Sequence, residues 1–261
     1  MGGIALSINK ISYYSDTLKK ITNVTIIIPE TSNTVSDTFP VLWLLHGLGG
    51  DNSVWLRRTS IEEYADKYQI AVIMPDAQRS FYTDMSFGGD YWTYITQELY
   101  TKIYSTFPLS PLRENNFICG ASMGGYGALK WALTYPEKFS AVAALSPVLD
   151  LRDFETRELL SKKEFAGIFH GKDLEKGPLV ISWLIKQYNL TSSSKLSVLT
   201  ASGTKDFLLN QNQAFSSIFQ NKFKRNYTWM KTEGAHDWNL WRPQLKKVME
   251  WLPVKETNVE N

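Results

Sequence analysis

From Val41 onward, short runs of continuously apolar residues alternate with stretches of helical periodicity, and this alternation restricts the fold more than anything else in the chain. Val-Leu-Trp-Leu-Leu at 41–45 and Ala-Val-Ile-Met at 71–74 leave no polar face. A strand is apolar on both sides only where both sides are covered, as in a parallel sheet between two helix layers. Strands are predicted at Ile8–Tyr14, Asn23–Ile28, Val41–Leu45, Ala71–Met74, Phe117–Cys119, Ala141–Leu145, Leu196–Ala201 and Thr228–Lys231. Helices are predicted at Ile61–Tyr68, Tyr91–Phe107, Met123–Tyr135, Gln211–Phe223 and Arg242–Leu252, with Pro108 and Pro136 closing the second and third. Ser15–Thr22 is too short for a crossover helix, so the first two strands should pair antiparallel and the later ones parallel. The expected fold is α/β, a mostly parallel eight-stranded sheet with helices on both faces.

A length of 261 residues suits one domain spanning 1–261. Residues 150–195 stand apart, richer in charge than the rest and too long for a simple crossover. They read as a small helical, cap-like insertion over the carboxyl edge of the sheet, with plain surface decoration as the alternative. Lys+Arg of 28 against Asp+Glu of 26 gives a net charge of +2, which argues against a nucleic-acid partner held by electrostatics. One cysteine, Cys119, excludes a disulfide framework and a Cys-based zinc site, and its place in a strand suggests packing. No apolar run reaches the length of a membrane span, and no basic segment followed by an apolar one opens the chain. A cytoplasmic protein without a membrane partner is therefore expected.

Gly120-Ala-Ser122-Met-Gly124 is a G-x-S-x-G pattern, short enough to arise by chance but set here between an apolar strand and an amphipathic helix. That is the context of a nucleophile elbow, where the serine occupies a strained turn and glycines permit close backbone approach. A serine needs a base to take its proton, and the chain offers three histidines, His46, His170 and His236. In the α/β-hydrolase order of serine, acid, histidine, only His236 follows the last strand. His46 precedes the serine and reads as a brace for its own loop, while His170 has no assigned role.

The acid should stand at a strand end between serine and histidine. Asp206 does so after the seventh strand, and Asp150, after the sixth, is the competitor, although its setting looks like a helix N-cap. Asp237, beside the histidine, reads as solvent-facing. The oxyanion donors expected are the backbone N–H groups of Met123, next to the serine, and Leu48, within His46-Gly47-Leu48-Gly49-Gly50. Trp238, Trp241, Tyr82 and Phe87 could wall an acyl pocket or serve as core anchors. Nothing suggests a phosphate loop, a dinucleotide fingerprint or a metal site, so no cofactor or metal is expected.

Taken with Trp55-Leu56-Arg57-Arg58-Thr59, Met74-Pro75-Asp76, Tyr82-Thr83-Asp84, Asp206-Phe207-Leu208 and His236-Asp237-Trp238, these motifs resemble the esterase D-like branch of the α/β-hydrolases across nearly the whole chain. The likeness is greatest to the bacterial tributyrin esterases. It implies the α/β-hydrolase fold and a serine carboxylesterase acting on small short-chain acyl esters through an acyl-enzyme, with Ser122, Asp206 and His236 as the triad. Such enzymes often associate, so a homo-oligomer is compatible with it. The alternative is a thioesterase, such as an S-formylglutathione hydrolase, or an acyltransferase with the same triad. Formylglutathione enzymes of this branch tend to carry His before the nucleophile and cysteine in the oxyanion loop, where Ala121 and Gly49-Gly50 stand here.

Overall fold

The computed structural model describes residues 6–30, 38–189 and 195–254. Strands β1 (Leu6–Ser15) and β2 (Lys20–Pro29) form an antiparallel hairpin, from Leu6 opposite Pro29 to Ser15 opposite Lys20. Exposure along β1 alternates, as it does on an edge strand with one face in water. After β3 (Val41–Leu45) come the short helices α1 (Val54–Arg58) and α2 (Ile61–Lys67), then β4 (Ala71–Pro75). Helix α3 (Tyr91–Thr93), a π-helical turn (Tyr94–Leu99) and α4 (Tyr100–Thr106) run end to end into β5 (Asn116–Ala121). Helix α5 (Met123–Thr134) leads to β6 (Ala141–Leu145), and α6 (Phe154–Glu158), α7 (Lys162–Phe169) and α8 (Ile181–Gln187) precede β7 (Ser197–Gly203). Helix α9 (Leu209–Phe223), β8 (Tyr227–Thr232) and α10 (Trp238–Trp251) follow.

The strands form one eight-stranded sheet in the order β1-β2-β4-β3-β5-β6-β7-β8. Only the β1–β2 and β2–β4 pairings are antiparallel; every pairing from β4 across to β8 is parallel. The unbroken apolar runs are explained by the two cores. Val41, Trp43 and Leu45 face one core with residues of α4, α5, α8 and α9, while Leu42 and Leu44 face the other with residues of α1, α2 and α10. Strand order reverses direction at β3, which lies between β4 and β5. Loops leaving the carboxyl ends of β3 and β5 diverge there, and such a switch point opens a crevice for ligands.

Most element ends differ from the sequence expectation by one to three residues, and two helices depart from it further. Helix α10 begins at Trp238 rather than Arg242, because Asp237 caps it and Pro243 is tolerated inside. Helix α1 was not foreseen, being five residues long with only Val54 and Trp55 buried.

Residues 150–189 dock against the segment that follows β4. Phe169 packs on Phe81 with ring centroids 5.8 Å apart, Phe87 N–H donates to the Gly167 carbonyl at 2.8 Å, and Arg79 pairs with Glu164 at 2.7 Å. Tyr126 of α5 donates its hydroxyl to the Leu179 carbonyl at 2.9 Å. Among the described residues, no helix is long and apolar enough to cross a membrane.

Candidate active site

Ser122 is the single residue between β5 and α5, with φ 56° and ψ −118°. A non-glycine residue in that region is strained and persists only where its surroundings over-determine it. Here the surroundings do so. Ser122 N–H donates to the Leu145 carbonyl of β6 at 2.8 Å, and its carbonyl accepts from Tyr126 N–H at 3.1 Å. A side chain at Gly120 would overlap the Gly124 backbone, and one at Gly124 would overlap the Leu45 carbonyl of β3. The two glycines of the pattern thus let α5 start hard against the strand ends, with the serine side chain at the tip of the turn.

His236 and Asp206 arrive from the neighbouring loops, after β8 and β7. His236 Nε2 lies 2.9 Å from Ser122 Oγ, and Nδ1 lies 2.9 and 3.1 Å from the two oxygens of Asp206. Asp206 is buried, at 5% exposure. Burial pushes its carboxyl up, but bonds from His236, Ser146 and the Leu208 N–H outweigh that and hold it below the ordinary carboxylate value. The ring of His236 is held between Phe207, at a centroid distance of 4.5 Å, and Trp241, at 5.0 Å and nearly perpendicular. With Nδ1–H donating to the carboxylate, the Nε2 lone pair faces the serine hydroxyl. That is the arrangement required to take a proton from a nucleophile.

The other acid candidates lie elsewhere. Asp150 pairs with Arg152, accepting its backbone N–H at 2.9 Å and its guanidinium at 3.0 and 3.1 Å. It is not the helix cap its sequence setting suggested, because α6 begins only at Phe154. Asp237 is exposed and caps α10, its Oδ1 accepting from the N–H groups of Asn239 and Leu240 at 2.8 and 3.3 Å.

His46 sits on the same edge with a different set of partners. At 1% exposure, its Nδ1–H donates to the Gly47 carbonyl at 2.8 Å, and its Nε2 accepts the Ala77 N–H at 2.9 Å. Burial lowers its pKa, only partly opposed by the Gly47 carbonyl and Asp76. Tyr82, also buried, donates its hydroxyl to the His46 carbonyl at 2.9 Å. These bonds fix the turn 47–50, closed by Gly50 N–H on the Gly47 carbonyl at 3.0 Å. The N–H groups of Leu48 and Met123 pair with no acceptor among the described residues. His170 is remote from this constellation, its ring 5.5 Å from Phe87.

Leu48, Ser122 and His236 open onto one cavity of about 410 Å³, walled by Trp238, Trp241 and Leu159 and rimmed by Arg57 and Arg58. Of the aromatic candidates, Trp238 and Trp241 line it; Tyr82 braces the loop, and Phe87 stands out in solvent at 69% exposure. Sequence reasoning missed Ser146, which accepts the Trp241 indole N–H at 3.2 Å and helps to hold the Asp206 carboxyl below its ordinary value. Its position just past β6 was the available signal. Leu159, Arg57 and Arg58 were also missed, since only the folded chain brings them to the serine.

A sequence profile of the family described as "Putative esterase" matches residues 15–252. An acetyl esterase of Caldicellulosiruptor saccharolyticus is 29% identical over 267 residues, covering 95% of this chain and 98% of that protein. A fluorophosphonate-binding serine hydrolase of Staphylococcus aureus, solved with substrate bound, is 31% identical with a TM-score of 0.86, covering 95% of this chain and 98% of that one. An S-formylglutathione hydrolase of the same organism, solved as the apoenzyme, is 31% identical with a TM-score of 0.79 over the same shares. The architecture shared with these enzymes is the α/β-hydrolase fold.

Proposed function

Because the chain belongs to this esterase family and is a carboxylic ester hydrolase, we propose that it cleaves short-chain acyl esters by double displacement on Ser122. Ser122 Oγ attacks the ester carbonyl as His236 Nε2 takes its proton, and the C–O bond to the alcohol breaks with that proton delivered to the leaving oxygen. Water then attacks the acyl-serine, giving a proton to His236, which returns it to Ser122 as the carboxylic acid departs. Asp206 holds the Nδ1–H tautomer and stabilises the imidazolium formed in each half. The N–H groups of Leu48 and Met123 receive the oxyanion, a contribution of about 10²–10³ in rate per donor in such sites.

The observation that carries this reading is one imidazole bridging both partners, 2.9 Å from Ser122 Oγ and 2.9 Å from Asp206. The preference for short acyl chains, of the tributyrin type, is supported by the indole walls of Trp238 and Trp241 and by Leu159. Leu159 comes from residues 150–195, which we read as a small cap over the pocket.

The test is labelling with a fluorophosphonate probe alongside turnover of 4-nitrophenyl esters from acetate to octanoate. Wild-type protein should label and should turn over acetate and butyrate fastest. Ser122→Ala should do neither, and full turnover by that variant would sink the proposal. A thioesterase reading is favoured by the S-formylglutathione hydrolase among the similar structures. Assaying matched thio- and oxyesters of one acyl group separates the two.

A further inference from the structure

Arg57 and Arg58 end α1 and line the same cavity as Ser122 and His236. Among the described residues no carboxylate lines it, so the cavity carries two guanidinium groups without an acid of its own. Arg57 has one loose ion pair, with Asp51 at 3.4 Å, and both side chains are largely in water, at 63% and 48% exposure. Arg58 has no ion-pair or hydrogen-bond partner among the described residues.

The helix bearing them is anchored to the catalytic framework. Trp55, at 1% exposure, donates its indole N–H to the Leu45 carbonyl of β3 at 3.0 Å. Its ring meets Trp238 edge-on at 5.0 Å, two residues beyond His236. One buried indole therefore ties α1 both to the strand that leads into the oxyanion loop and to the start of α10, just after the general base. A helix C-terminus favours cations in any setting. That preference accounts for the charge on the last turn and leaves unexplained why it faces the cavity of the nucleophile with no acid opposite.

We infer that Arg57 and Arg58 select esters that carry a negative charge, a carboxylate or a phosphate, a few bonds from the scissile carbonyl. The inference takes Ser122 as the nucleophile and so rests on the function proposed above. Guanidinium pairs with carboxylate and phosphate in a forked geometry, and each such contact at a wet rim is worth about a two- to tenfold preference.

Two matched substrate pairs locate the charge. Mono-4-nitrophenyl succinate against 4-nitrophenyl butyrate places it on the acyl side; 4-acetoxybenzoate against 4-acetoxybenzamide places it on the leaving group. The readout is the ratio of kcat/KM, anionic over neutral, in the full chain. In at least one pair the ratio should fall about two- to tenfold in Arg58→Gln and further in the Arg57→Gln/Arg58→Gln double variant. Arg58→Lys should retain most of it.

Salt gives the same reading without any variant: between about 0.05 and about 0.5 M the wild-type ratio should shrink, because rim charges are screened. The inference is overturned if both ratios stay within about twofold across the salt series and the variants. If Ser122→Ala hydrolyses the neutral esters at the wild-type rate, the proposed function itself has failed. If those esters depend on Ser122 while the ratios stay fixed, only the role of the arginines has failed.

Discussion

Two histidines stand on the carboxyl edge of this sheet, and what each ring nitrogen touches separates them. Both nitrogens of His46 are spent on backbone, donating to the Gly47 carbonyl and accepting the Ala77 N–H. A proton on Nε2 would cost that ring its bond to Ala77 and place a charge in a buried site, which Asp76 Oδ1, 3.8 Å away, offsets only in part, so burial depresses its basicity. His236 has a carboxylate on one nitrogen and a hydroxyl on the other. It can gain a proton from Ser122 and have the resulting charge met by Asp206. The same side chain is thus a fixed strut in one loop and, in the proposed mechanism, a carrier of protons in the other.

Exchanging the two residues in experiment should bring out that contrast most strongly. His236→Ala should cost about 10⁴–10⁶ in kcat, the range seen when a triad member acting as a unit is removed, with urea stability within about 1 kcal/mol of wild type. His46→Leu should do the reverse in emphasis. It strands the Ala77 N–H and leaves the Gly47 carbonyl with the Gly50 N–H alone, so stability should drop by about 1–3 kcal/mol, with less activity lost than in His236→Ala. Equal inactivation by both variants at full stability would erase the distinction.

The acids give a second, smaller contrast. Asp206→Asn should reduce kcat by about 10⁴, because the amide favours the wrong imidazole tautomer. Asp150→Asn weakens a half-exposed ion pair and a backbone hydrogen bond, both with Arg152, and should change kcat by less than about twofold. Steady-state assays of the two variants on 4-nitrophenyl butyrate check this, and the assignment reverses if Asp150→Asn is the damaged one.

How much of this could be read from the chain follows from where each signal resides. All eight strands were legible, the central ones because burial on both faces forces continuous apolar runs such as 41–45, and the hairpin followed from a connection too short for a helix. The elbow was legible because its close contacts demand glycine at 120 and 124. Chain order placed Ser122, Asp206 and His236 in sequence, and the fold sets them within hydrogen-bond reach of one another. What escaped had no local pattern. Asp150 looked like a cap because caps are recognised by residue type, whereas the helix starts where the backbone turns, four residues later. Arg57, Arg58 and Leu159 reach the serine from segments distant in sequence, and no periodicity encodes that meeting.

The smallest expected effect tests the His46 side of the comparison through pH. Burial holds this ring below its ordinary value of 6.5. As pH falls past about 6.5, the unfolded chain takes up a proton here before the folded chain does. The unfolded state then binds more protons, so stability falls with pH at up to about 1.4 kcal/mol per unit for this one group, and the slope ends at the depressed folded value. Asp206 does not interfere over most of that window. It is held below its ordinary 3.8, so the stability it contributes is present above that value and is lost only as pH falls through its folded pKa. His46→Gln keeps one donor and one acceptor but cannot titrate. It should therefore start less stable than wild type at pH 7.5, and the gap in urea midpoint should narrow at pH 5. A gap that stays constant between the two pH values would mean that His46 titrates alike in the folded and unfolded chains, and that its bonds to Gly47 and Ala77 do not hold it neutral.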